Sequence, residues 1–175
     1  LITQDIIIRP PQRRTSDVRL WRSALIAADA GRPASLYDLF EDLLIDGVLW
    51  DSIDKRSKAI LNAELIFQGA DGKLVPEIAA LMETTDWEDL LVSINKKECW
   101  GRSGVEFDFR NGFHVHDIPA KHISLETKSI LIEATQTIGR PYEGDPFILI
   151  IGKPRDWGLL LKTAPMAIWK RGGFG

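Results

Sequence analysis

The hydrophobic pattern of this chain changes period once, and that change limits its fold more than any other feature. Up to about Gly101 the apolar residues recur at helical spacing. From Ser103 they alternate: Val105, Phe107 and Phe109 are interleaved with Glu106, Asp108 and Arg110. Beyond Asn111-Gly112, Phe113 and Val115 alternate with His114 and His116. The pattern predicts a β-hairpin at about 103–116. Its register follows from the side-chain period. A two-residue Asn-Gly loop would set Phe109 opposite His114 and Phe107 opposite His116, mixing apolar and polar side chains on both faces. A three-residue loop, Arg110 to Gly112, sets Phe109 opposite Phe113 and Phe107 opposite Val115, and one face becomes wholly apolar. The longer loop is expected, with Gly112 in the left-handed region as a bulge residue. Phe113 and Val115 would then be buried, and His114 and His116 turned outward.

Before the hairpin the signals are helical. Ser16 or Thr15 can cap a helix running through Trp21 to about Ala30, with Gly31-Arg32-Pro33 as its stop. Leu36, Leu39, Phe40, Leu43 and Leu44 share one face of the next helix, with Ser35 as expected cap and Gly47 as expected stop. A third is expected from about Ser52 to Leu61, burying Ile53, Ile60 and Leu61. "AELIFQG" reads as a strand and "GADGK" as a turn. Pro76 suits the first turn of a short helix. Asp86 is the expected cap of a helix ending near Trp100-Gly101. After the hairpin, "ISLET", "SILIEAT" and "PFILIIG" read as strands, and "DWGLLLKTAPMAIWKR" as a helix kinked near Pro165. Helices, then a mostly antiparallel sheet, then a helix, predict an α+β fold. The expected organisation is an extended N-terminal arm over 1–17, stiffened by Pro10-Pro11, and a single α+β domain over 18–175.

Length and composition fit one globular domain: hydrophobic residues make up 45% and charged residues 27% of the chain. A net charge of −3 gives the chain as a whole no electrostatic reason to hold nucleic acid tightly. A single cysteine excludes an internal disulfide framework. With no apolar run of membrane-span length and no signal-like start, the reading is a soluble, reduced, intracellular chain. The start at Leu1 without Met, and the exit "WKRGGFG" straight after a helical run, suggest a piece of something longer.

All three histidines lie in "NGFHVHDIPAKHI". The expected register puts His114 opposite Asp108 and His116 opposite Glu106 on the polar face. Two imidazoles and two carboxylates there could bind zinc or another divalent ion, with His122 joining if the chain folds back. The simpler reading is a polar hairpin face that meets water or a neighbouring chain. Cys99 beside Trp100 reads as a partly buried structural residue. No phosphate-binding loop, dinucleotide-binding glycine pattern or nucleophile elbow appears, so no enzyme and no cofactor is expected. Arg9, Arg13 and Arg14 make the arm basic, and with Trp21 and Arg22 they form a candidate interaction surface. The six tryptophans can serve as core or as interface anchors.

Four stretches in order carry a family resemblance: "RPPQRRTSDVRLWRSAL", "LYDLFEDLLIDGVLWDSIDKRSKAILNAELIF", "ECWGRSGVEF" with "IPAKHI", and "IIGKPRDWGLLLKTAPMAIWKRGGFG". Together they resemble the portal proteins of Mu-like phages and prophages, the head-to-tail connector family. The resemblance spans nearly the whole chain and is most specific in the last stretch. It implies a non-enzymatic subunit of a ring, usually dodecameric, at one capsid vertex. Double-stranded DNA would enter through the ring during packaging and leave through it on infection, without sequence-specific binding. Partners would be further copies of the chain, the capsid, the terminase and head-completion proteins, with no membrane involved. Location would be the virion, and the host cytoplasm during assembly. This chain would be an N-terminal fragment, covering the arm and much of the α/β wing. Two other readings stand beside it: a small metal-binding domain using Glu106, Asp108, His114 and His116, and an interaction module unrelated to phage.

Overall fold

The computed structural model describes residues 1–9 and 18–173. The expected basic residues Arg13 and Arg14, and the Ser16 or Thr15 cap, lie outside the described residues. Helices α1 (Val18–Asp29), α2 (Ala34–Leu43), α3 (Gly47–Leu61), α4 (Pro76–Met82) and α5 (Thr85–Trp100) precede the strands. Then come β1 (Arg102–Asp108), β2 (His114–Ile118), β3 (Ile123–Ser124), β4 (Ser129–Ile130), β5 (Arg140–Pro141) and β6 (Ile148–Gly152), and finally α6 (Gly158–Gly173). Among the described residues the strands form two antiparallel sheets, β2-β1-β6 and β3-β4-β5. The class is α+β, as the order of periods predicts.

The α2 stripe buries Leu36, Tyr37, Phe40 and Leu43 completely against α1 and α6. At about 1.5–3 kcal/mol for each large apolar side chain, this stripe is a major part of the first core. Ala24 and Ala28 of α1, Leu160, Ala164 and Ile168 of α6, and Cys99 and Trp157 complete it. The second core is formed by Ile2, Ile118, Ile123, Leu125 and Ile130. The first sheet separates α5 from this second core. Ser103 of β1 donates its hydroxyl to the Ser93 carbonyl of α5, and Ser93 donates to Asp117 of β2 at 2.8 Å.

The hairpin has the expected register: Phe107 faces Val115, Glu106 faces His116 and Asp108 faces His114. Gly112 has φ +122°, the positive region the three-residue loop requires. The burial expectation needs correction. Val105 is buried on the same face as Ser103, but Glu106 on the opposite face is only 5% exposed. Phe109 at the tip is 56% exposed, and Phe113 and Val115 are half-buried. Both faces are covered at the base of the hairpin and both are partly open at its tip.

Helix boundaries bring further corrections. Ser35 lies inside α2, which starts from the Pro33 carbonyl without a side-chain cap, because Pro33 is already helical at φ −81°. Gly47 starts α3 instead of stopping α2: Asp46 accepts the backbone N–H groups of Val48 and Leu49, which moves the start of α3 five residues ahead of Ser52. Leu61 is left exposed and no residue of α3 is fully buried. Thr84, not Asp86, caps α5. Among the described residues "AELIFQG" has no adjoining strand to complete its hydrogen bonds, and keeps a single bridge between Gln68 and Leu74. "ISLET" and "SILIEAT" shorten to the two-residue strands β3 and β4.

Candidate functional site

The four polar hairpin residues go to four different tasks. Glu106 accepts the Ile2 backbone N–H at 2.7 Å, and the Thr3 backbone N–H at 2.8 Å and hydroxyl at 2.7 Å. Burial alone would push this carboxyl up, but the hydrogen bonds from Thr3 and Ile2 together hold it below its ordinary value. Asp108 is taken by Arg110, whose Nε and Nη2 donate to it at 3.0 and 2.8 Å and hold its carboxyl well below the usual range. Asp86, freed from capping, accepts the Val115 N–H at 2.8 Å and lies 3.2 Å from His114 Nδ1. His116 is half-buried and lines a depression with Thr3, Gln4 and Asp89. Shared strand register therefore does not become a shared donor set. Among the described residues no group of three or more His, Cys, Asp or Glu side chains is arranged to hold a metal ion.

His122 does not join them. It is fully buried, with Nδ1 bonded to the Leu131 carbonyl at 2.8 Å. Burial pushes its pKa down, and the neighbouring Lys121 adds to that. Cys99 is buried in the first core, and burial pushes its thiol up, away from a reactive thiolate.

The candidate interaction residues are spread along one end of the chain. Arg9 is exposed and pairs with Glu133 at 3.1 Å. Arg22 is exposed on α1, beside Val18, Arg19 and Ile26 in a shallow apolar groove. Trp21 packs against the first core. The tryptophans divide between core and surface. Trp157 is buried and donates Nε1 to Asp29 at 3.3 Å; Trp100 stacks on Tyr37 at 6.2 Å. Trp50 and Trp169 are 55% and 72% exposed. Leu65, Ile66, Phe67 and Leu74 also face solvent, around a groove that includes Trp87. An isolated exposed apolar residue is ordinary, but a contiguous set marks a contact surface.

Sequence reasoning missed Arg102. The alternating pattern is legible only from Ser103, whereas Arg102 begins β1 and is 0% exposed. Its only local signal is its place next to a helix-ending glycine, and that says nothing of burial. Arg102 borders a cavity of about 140 Å³ shared with Tyr37, Glu41, Lys96, Trp100 and Lys121.

Described residues include no helix long and apolar enough to cross a membrane. A family profile described as portal protein of Mu bacteriophage matches residues 37–175. No curated protein matches the chain.

Proposed function

The chain belongs to the family of portal proteins of Mu bacteriophage, and on that premise we propose that it is a structural subunit of the dodecameric ring at the capsid vertex. In this reading DNA is packaged and ejected through the ring, the tail connects to it, and the subunit performs no catalysis. Its partners are further copies of itself, the capsid, terminase and head-completion proteins. It resides in the virion, and in the host cytoplasm during assembly. The observation that carries the reading is the family match across most of the chain. Two physical features support it. The exposed apolar set of Leu65, Ile66, Phe67 and Leu74 around one groove suits a subunit that buries surface on assembly. The net charge of −3 suits a channel through which DNA must slide without sticking.

Within the ring, the basic arm over 1–17 would reach a neighbouring subunit through Arg9, Arg13 and Arg14, with Trp21 and Arg22 beside it. Electron microscopy of the full-length protein tests the main reading: rings with a central hole are expected, and monomers alone at every concentration would overturn it. Charge reversal with Arg13→Glu and Arg14→Glu tests the arm; rings forming as readily as in the parent protein would remove it from the contact.

A further inference from the structure

The cavity beside Arg102 lies where α2, α5 and β1 meet the turn at 119–122. The guanidinium lies beside two aromatic rings, with Cζ 4.8 Å from the Trp157 centroid and 5.6 Å from that of Tyr37, and the rings themselves meet edge to face with centroids 6.3 Å apart. Nη1 donates to the Ile123 carbonyl at 2.7 Å. Nε and Nη2 have no acceptor among the described residues. These two nitrogens form one edge of the guanidinium plane, with parallel N–H bonds that match both oxygens of a carboxylate or phosphate. The ring faces attract the charge, but as acceptors of N–H bonds they are weaker than an oxygen.

The other charges bordering the cavity are paired. Lys121, 5% exposed, lies 3.5 Å from Asp38 and 3.4 Å from Glu41. Lys96 lies 3.0 Å from Asp117. Among the described residues Arg102 is thus the one charge bordering the cavity that makes no ion pair, and it is positive. A buried charge with unmet donors is costly unless something supplies the acceptors. The cavity has the volume of several water molecules at roughly 30 Å³ each, enough for such a group.

We propose that this cavity receives an oxyanion, held bidentately by the Nε–Nη2 edge of Arg102. The chemistry is that of a carboxylate or a phosphate, either free in solution or, for the carboxylate, carried on a side chain of a second copy of this chain. The edge is sealed from water here, so entry requires the surrounding side chains to give way and association to be slow.

Thermal unfolding of the chain in inorganic phosphate or acetate, against chloride at matched ionic strength, tests the free ligand. The midpoint should rise with the logarithm of anion concentration beyond the chloride control. Arg102→Lys removes the fork while keeping the charge. Ala120→Leu, at the cavity wall, narrows the space and leaves Arg102 in place, so a folding defect in the first variant does not end the test. The anion-dependent rise should disappear in whichever variants fold. Sedimentation over a concentration series tests the second copy: self-association weakened by Ala120→Leu and competed by acetate supports it. Midpoints that track only ionic strength, together with sedimentation unaffected by Ala120→Leu or acetate, overturn the proposal and leave Arg102 satisfied by the rings of Tyr37 and Trp157.

Discussion

Gly101 and Gly158 face each other where the end of α5 crosses the start of α6, and neither has room for a side chain. A Cβ on Gly158 would lie 2.5 Å from the Gly101 amide nitrogen, and one on Gly101 would lie 2.7 Å from Trp157 Cα. Both have positive φ, +79° and +68°. Backbone strain and backbone collision therefore add at each position. Gly101→Ala and Gly158→Ala should each destabilise the chain by on the order of 2–4 kcal/mol in urea unfolding. Gly47→Ala, at a position with open space and no positive φ, should be neutral or slightly stabilising. Equal effects at all three positions would refute the crossing as their cause.

Arg171 ties α6 to the C-terminal end of α2. Its Nη1 donates to the Asp42 carboxylate at 2.8 Å, and its Nη2 to the Asp42 carbonyl at 2.6 Å. The Asp42 carbonyl, which also takes a long 3.3 Å bond from the Ile45 N–H in the turn after α2, thereby gains a charged donor. Arg171→Ala should cost about 1.5–3 kcal/mol. Arg171→Lys should recover only part of it, since an ammonium cannot span the carboxylate and the carbonyl with a planar fork. Full recovery by lysine would show that charge alone matters.

Glu106 makes the seat of the N-terminal segment sensitive to acid. Its carboxyl is held below the ordinary value of 4.5, so its stabilisation is complete above that pH and is lost as pH falls through the lowered value. Glu106→Gln should remove that portion of the acid dependence and cost about 1–3 kcal/mol at neutral pH, because buried donors lose a charged acceptor. Hydrogen exchange at the Ile2 and Thr3 amides reports the contact directly. Unchanged protection in the variant would contradict the assignment.

His122 should act in a higher pH window. Its pKa is lowered by burial from 6.5, so the folded chain holds it neutral. With Nδ1 donating to Leu131, Nε2 is the bare nitrogen and has no partner among the described residues. Protonation would place a charged donor in the core beside Lys121. The contribution to stability is therefore present above pH 6.5 and falls as pH drops through the lowered value. His122→Gln should flatten stability between pH 7 and the acid limb. An imidazole titration by NMR with a midpoint at or above 6.5 would refute the prediction.

Much of the local architecture was legible in the residues. Leu36, Leu39, Phe40 and Leu43 mark the buried stripe of α2 because helical spacing repeats within one element. The hairpin register was legible because a one-residue slip exchanges faces, and only one loop length keeps Phe107 opposite Val115. The cap at Asp86 was misread because Thr84, two residues earlier, satisfies the same helix end. That leaves the Asp86 carboxylate for Val115, a partner 29 positions away.

What the chain alone determined, then, is period: helices where apolar residues recur at 3.6, and a hairpin where they recur at two. Tertiary structure decided what covers each face. Alternation marks Glu106 as polar, but it cannot say that residues 1–9 return across 104 positions of sequence to bury it under Ile2. Nor does any local pattern show that Arg102 is fully buried beside Tyr37 and Trp157, which lie 120 positions apart in the chain. Periodicity is a property of neighbours along one element, whereas burial and pairing depend on which distant segments close over it.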